Sequence, residues 1–242
     1  GHNIGVGCEA DVRVYTSRTT NGGPPKAGTD MVTTTRFTNV INSEEELREQ
    51  LGWPAERARD KTITALDQHC RDIIAASPMA FIATTNADGT VDVSPKGDPA
   101  GFVAVYDDNT IVIPDRPGNR RFDGLTNVIS NPGIGVIFIV PGMRETLRVN
   151  GTATIVRDPE LLESLAMDGK LPWLAIVIDV KEAFMHCPKA FLRSHLWDAE
   201  TWPSRDSLPS MACVLNDHAL GGKGNVEEIQ TDLTERHKTQ LY

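Results

Sequence analysis

Closely spaced cysteines are missing from this sequence. Cys8, Cys70, Cys187 and Cys213 stand far apart, with no C-x-x-C pair and no zinc-like cluster. They are therefore expected to be reduced and mostly buried thiols. Also missing is any run of about 18 apolar residues, the length needed to cross a membrane. The N-terminus lacks the basic start and apolar stretch of a secretion signal, and the expected address is the cytoplasm. A basic excess is absent too: Lys and Arg number 24 against 33 Asp and Glu, for a formal net charge of −9. Such a surface does not suit nucleic acid, whose phosphates call for a net basic face. Neither nucleic acid nor membrane is an expected partner. What remains is a chain of 242 residues, 40% of them hydrophobic, enough for one large domain or two small ones with an ordinary core.

Along the chain, residues 1–30 are rich in Gly, Thr and Pro and show no sustained period. They are expected to be disordered or vector-derived. The Gly1-His2 start has the form of a cleavage scar, and Met31 is the candidate native start. Residues 31–78 are expected to hold helices. Ser43-Glu44-Glu45-Glu46 has the capping-box form that opens a helix, and Gly52 and Pro54 end it. Ile63, Leu66, Cys70, Ile73 and Ile74 predict a second helix from about Ala55 to Ala76. The texture then turns to strands. Met79–Thr84 and Thr90–Ser94 flank the turn Asn86-Ala87-Asp88-Gly89, and Phe102–Tyr106 and Thr110–Pro114 repeat that pattern. A short helix at Asp123–Ser130 follows. Strands at Ile134–Val140, Thr146–Val156 and Leu174–Phe184 come next, with a helix at Asp158–Asp168 between the last two. Beyond Pro188 the pattern is mixed, with helical stretches at Leu208–Ala219 and Val226–Leu241. Six or seven strands joined by short hairpins favour a closed antiparallel barrel over a βαβ sheet.

Three stretches carry candidate chemistry. Pro114-Asp115-Arg116-Pro117-Gly118-Asn119-Arg120-Arg121 sets three arginines in six positions between a strand and a short helix. Arginine forks match phosphate oxygens, a Gly-bearing turn lets backbone amides approach an anion, and a helix N-terminus adds a favourable dipole. A solvated basic loop would show the same residues, so spacing alone leaves both readings open. Val93-Ser94-Pro95-Lys96-Gly97-Asp98 can present amides and a cation to a planar ring, or form an ordinary turn. His186-Cys187-Pro188-Lys189-Ala190, with Arg193, Ser194 and Trp197, sets two cations and an indole after the last strand. Neighbours on a strand point to opposite faces, so His186 is poorly placed to activate Cys187. A single histidine gives little support for a metal.

Taken in order, these stretches resemble the pyridoxamine 5′-phosphate oxidase-like FMN-binding split-barrel family. The nearer likeness is to a bacterial subgroup with the patterns DVSPxGD, IPDRPGNxRxD, SNPxxGxxFxxPGxxETLRVNG and HCxKAxxRSxLW. Here they read Asp92–Asp98, Ile113–Asp123, Ser130–Gly151 and His186–Trp197. The resemblance implies a mainly β chain with peripheral helices (α+β). It also implies a six- or seven-stranded antiparallel split β-barrel, homodimeric, with FMN at the dimer interface. It places the FMN-binding barrel at 79–187 and a segment that completes the pocket and packs on the barrel at 188–242. Ser94, Pro95 and Lys96 are expected along the ring. Arg116, Asn119 and Arg121, with Asp115 and Arg120, are expected at the phosphate and ribityl chain. Thr146 matches a position near the ring, and Lys189, Arg193, Ser194 and Trp197 are expected in the same pocket, supplied by the same or the partner subunit.

The implied activity is that of an FMN-dependent oxidoreductase on a small, unidentified organic substrate. The flavin does the chemistry, Lys96 or Arg193 stabilises charge on the reduced ring, and no side chain is assigned as catalytic. The alternatives are a flavin-binding or flavin-carrier protein without turnover, and a pocket for haem or a deazaflavin. The Arg-x-His pair that the biosynthetic oxidase uses to grip pyridoxal phosphate is missing near the C-terminus. Its compact Ser-Arg-Lys phosphate loop is replaced by DRPGNRR, so oxidation of pyridoxamine phosphate is the lesser expectation.

Overall fold

The computed structural model describes residues 37–242. The expectations placed on residues 1–30, Cys8 and Met31 lie outside the described residues. The chain divides between Arg59 and Asp60 into two compact units. The first contains helix α1 (Glu44–Leu51), which opens with the forward half of the capping box, Glu46 N–H donating to Ser43 Oγ at 3.1 Å, while the Glu46 carboxylate accepts the N–H of Asn42, one residue before the cap, at 3.1 Å. Gly52, at φ 78, ends the helix and returns its N–H to Arg48 O.

Where one long helix is predicted from Ala55 to Ala76, the chain instead forms α2 (Glu56–Asp60) and α3 (Gln68–Ala76). The interruption has two local causes. Ile63, within the β-branched run Thr62-Ile63-Thr64, exchanges both backbone hydrogen bonds with Ala183, at 3.0 and 2.8 Å. Asp67 then accepts Cys70 N–H at 2.9 Å and starts α3 afresh. Cys70 and Ile74 of α3 still turn into the core, as does Leu66 just before that helix, while α2 buries no residue.

The second unit continues with β1 (Met79–Thr85), β2 (Val91–Gly97), β3 (Ala104–Val105) and β4 (Thr110–Asp115). Helix α4 (Asp123–Ser130), β5 (Gly133–Ile139) and β6 (Thr146–Val156) follow. Then come α5 (Pro159–Ser164), β7 (Leu174–His186) and three helices, α6 (Lys189–Ser194), α7 (Met211–Leu220) and α8 (Val226–Thr239). The strands form one antiparallel sheet in the order β2-β1-β5-β6-β7-β4-β3, the seven-stranded α+β barrel that the sequence predicts. β3 and α5 fall well short of their predicted spans: β3 keeps only Ala104–Val105, and α5 stops at Ser164.

The sheet curls on itself. At ~4.8 Å per strand, a flat sheet would hold β2 and β4 about 24 Å apart. Yet the residues just beyond them, Asp98 and Arg116, form an ion pair at 2.7 Å, and Lys96 of β2 pairs with Asp115 of β4. Inside the curl, alternate residues such as Ala80 and Ile82, Val136 and Phe138, Leu147 and Val149, and Ile176 and Ile178 form the core. Helix α4 packs on β1, β2 and β6. Helices α7 and α8 pack on each other, and Asn216 Oδ1 accepts Gly224 N–H at 2.7 Å in the turn between them.

The longest pair, β6 with β7, shifts register at Asn150/Gly151. There a Cβ on Gly151 would stand 2.1 Å from Asp179 O. Gly151→Ala is expected to destabilise the protein by about 1–3 kcal/mol through overpacking against backbone. Gly118, with open space around its Cβ position, should accept Ala within about 0.5 kcal/mol. Urea denaturation of the two variants checks both values.

Candidate functional site

Strand β2 has its polarity inverted. Asp92, Ser94 and Lys96 point inward and are half-buried, while Val91, Val93 and Pro95 on the outer face are exposed. A barrel strand ordinarily does the opposite. The inward polar row forms one wall of a cavity of about 270 Å³, whose other walls are Asp115 to Leu125 less Pro117, together with Ile82. Ser94 Oγ donates to Asp92 Oδ2 at 2.6 Å, so the floor of this wall is a hydroxyl held by a carboxylate.

The opposite wall is the turn after β4. Asp115 is buried and pairs with Lys96. Arg116 Nε donates to Asp98 Oδ2 at 2.7 Å, with the Asp98 side chain 1% exposed and that of Arg116 13%. This spends one edge of the guanidinium. Nη1 of Arg116 is buried and has no hydrogen-bond partner, a donor that ordinarily finds one. Tyr242 completes the cluster: its ring lies 5.7 Å from the guanidinium and its hydroxyl donates to Asp98. The carboxylate beside it holds that phenol above its ordinary pKa.

The turn is kept open by backbone conformation. Asn119 Oδ1 accepts Arg121 N–H at 3.0 Å, and Arg120 and Phe122 both sit in the left-handed region, at φ 60 and 59. Non-glycine residues adopt this at a cost and are held there by surroundings. Here the anchor is Trp173, which carries the Arg120 guanidinium at 5.4 Å and the Phe122 ring at 6.2 Å. Arg121 is exposed and pairs with Asp123 at 2.7 Å, which raises its pKa. Helix α4 begins next. Its N-cap, Phe122, offers no side-chain hydrogen bond to the first-turn amides, which leaves them for another acceptor. Gly124 lets α4 approach β2 closely: a Cβ there would stand 2.8 Å from Asp92 Oδ2, so that carboxylate would have to shift. With Lys96, Arg116, Arg120 and Arg121 set against Asp92, Asp115 and Asp123, the lining is net positive inside an acidic protein.

Of the residues singled out in the sequence, Ser94, Lys96, Asp115, Arg116, Asn119, Arg120 and Arg121 meet in this cavity. Pro95 faces outward from β2, and Thr146 is buried at the start of β6 opposite His186. Lys189, Arg193 and Ser194 lie on α6; Trp197 follows it, stacked on Phe191 at 5.8 Å with its Nε1–H donating to Met143 O at 2.8 Å. None of these six lines the cavity of its own chain. Sequence reasoning missed Asp92, Asp98, Phe122, Gly124 and Tyr242. The period of β2 sets Asp92 on one face with Ser94 and Lys96, so it could have been found. Tyr242, 144 residues from Asp98, left no local signal. Cys70 is buried with its thiol pKa pushed up to about 11 by desolvation and by Asp67, far from a reactive thiolate. Among the described residues no group of three His, Cys, Asp or Glu is placed to hold a metal, and no helix is long and apolar enough to cross a membrane.

A family model described as pyridoxamine 5′-phosphate oxidase matches residues 66–187, half of the chain. No curated protein matches. Among solved structures, HupZ from Group A Streptococcus is similar at 24% identity, covering 50% of this chain and 93% of that one, with a TM-score of 0.41. A putative pyridoxamine 5′-phosphate oxidase from Lactobacillus delbrueckii is similar at 18% identity, over 50% and 99% of the two chains, with a TM-score of 0.39. An FAD binding protein from Mycobacterium smegmatis is similar at 19% identity, over 51% and 97%, with a TM-score of 0.37.

The Asp98–Arg116 pair is buried, and removing one partner strands a charge. Asp98→Ala is therefore expected to cost about 3–5 kcal/mol of stability. Asp123→Ala, which breaks the exposed Arg121 pair, should cost no more than about 1 kcal/mol. Chemical denaturation at fixed pH separates the two.

Proposed function

The chain belongs to the pyridoxamine 5′-phosphate oxidase family, and from that premise we propose that it is an FMN-dependent oxidoreductase acting on a small organic substrate. The observation that carries this reading is the buried, unpartnered Nη1 of Arg116 in a net-positive cavity at the start of α4. A phosphate monoester supplies the acceptor oxygens that this donor and the free first-turn amides call for. Arg116 binds the phosphate, with Asp98 fixing the orientation of its fork. Arg120 and Arg121 add charge at the mouth, and Asn119 holds the turn. Ser94 and Lys96 lie along β2 beyond the phosphate and present a hydroxyl and a cation to the rest of the cofactor. When bound, the flavin supplies the hydride or electron transfer.

One chain supplies only part of the pocket. A volume of about 270 Å³ lies just below the range of ligand sites, ~300–1,000 Å³. The outer row of β2 next to it is apolar and bare: Val91 is 65% exposed, Val93 60%, and Phe81 on the neighbouring strand 41%. A second copy of the chain covers this row and completes the site. Pro95, Lys189, Arg193, Ser194 and Trp197, which miss the cavity of their own chain and are not buried in it, contribute from that copy, with the segment from 188 onward closing the pocket, whereas Thr146 is buried in its own chain.

Arg116→Ala is expected to weaken FMN binding by about 1.5–3 kcal/mol per charged hydrogen bond lost, roughly 10- to 150-fold. Quenching of flavin fluorescence during titration gives the affinity. Riboflavin, which lacks the phosphate, should bind both forms alike. An unchanged FMN affinity, or an equal loss for riboflavin, overturns the phosphate assignment. A flavin-bearing monomer in gel filtration overturns the shared site.

A further inference from the structure

A second cavity, of about 360 Å³, lies between the segment leading into α3 and the β6–β7 pair, and it shares no lining residue with the first. Its apolar walls are Ile63, Cys70, Leu147, Ala183 and Met185, and Phe184 forms one side. The polar groups around it are Lys61, Asp67 and His69. The backbone exchange between Ile63 and Ala183, at 3.0 and 2.8 Å, pins the segment to β7 and fixes these walls.

Two cations and an imidazole flank the Phe184 ring, and Glu182, two residues back on β7, is taken up by Asn150 Nδ2 at 2.6 Å. Lys61 Nζ stands 5.6 Å from the centre of the ring, Arg148 Cζ 5.5 Å, and the His186 ring 5.3 Å. Lys61 donates to Met185 O at 2.6 Å, which uses one of its three N–H donors. Among the described residues neither Lys61 nor Arg148 has a carboxylate partner. The one carboxylate in the lining, Asp67, is committed to the first turn of α3 through Cys70 N–H. The Cys70 thiol in the wall is held neutral, its pKa about 11. Burial, Arg148 and Lys61 together keep the His186 pKa below its ordinary value, the response of an imidazole in a positive field.

We infer that this cavity is a second small-molecule site that takes an organic acid with an apolar ring or chain. The hydrophobic body enters between Leu147, Ala183 and Phe184, and the carboxylate meets Lys61 at the mouth, with Arg148 adding its field. An amine would meet the Lys61 and Arg148 charges with the wrong sign, and a neutral molecule would gain nothing from them.

Calorimetric titration of the full-length protein with benzoate and with benzyl alcohol, its neutral counterpart, tests this. Benzoate is expected to bind at one site per chain at least tenfold more tightly than the alcohol, and to shift the His186 ring resonances in the wild-type NMR spectrum. Lys61→Gln should bring benzoate down to the level of the alcohol and Lys61→Arg should keep it, both with FMN affinity unchanged. Equal affinity for benzoate and benzyl alcohol overturns the proposal, as does benzoate binding that leaves the His186 resonances unmoved or survives Lys61→Gln. Displacement of benzoate by FMN would place it in the first cavity and also overturn it. A failure of FMN to bind would strike the reading of the first cavity and leave this one standing.

Discussion

Two ion pairs close the sheet where hydrogen bonds do not. Lys96 with Asp115 and Arg116 with Asp98 bridge the ends of β2 and β4, strands at nearly opposite ends of the seven-stranded order. Buried charges are expensive to desolvate, and they are kept only where geometry and further hydrogen bonds offset the cost. The cavity is a consequence of this closure. The seam is lined with charge because charge closes it, and Arg116, tied by Nε to Asp98, is left with a buried Nη1 that has no partner. A seam joined by backbone hydrogen bonds would have satisfied every group and left nothing to recognise an anion.

The inverted strand follows from the same constraint. With Asp92, Ser94 and Lys96 committed to the inner face, the period of two forces Val91, Val93 and Pro95 outward. The outer face then has apolar surface and no layer of its own chain to cover it. Within the chain the inner row is met by the Ser94–Asp92 hydrogen bond and the Lys96–Asp115 ion pair, while the outer row stays exposed. On the proposed reading, the cofactor answers the inner face of this seven-residue strand and a second copy of the chain its outer face.

Much of this was legible in the sequence, for identifiable reasons. Strands such as β1, β5 and β7 are long, apolar and bounded by turn residues, so their periods survive folding. The loop after β4 was legible because arginine, glycine and asparagine are concentrated in one short stretch. The failure at Ile63 is equally physical: helical spacing reports only that residues share a buried face, and the bond to Ala183 that breaks the helix comes from a strand more than a hundred residues away. Tyr242 escaped for the same reason, as did the meeting of Lys61 and Arg148 at Phe184; Asp98 and His186 stood in quoted motifs, but their partners did not show there. Such clusters belong to tertiary contact and carry no mark in local pattern. Thr146 and the α6 residues are a different case, since motif likeness singled them out and a single chain does not bring them to the cavity.

The central claim is that the cavity at the barrel seam binds FMN. The most direct measurement is the absorption spectrum of the purified protein, followed by heat release and mass analysis of whatever it carries. The account predicts the bands of an oxidised flavin, with FMN released in a ratio approaching one per chain, or stoichiometric uptake of added FMN if the protein is isolated without it. A colourless protein that takes up no FMN would leave the barrel and its ion-paired seam in place and contradict the function assigned to them.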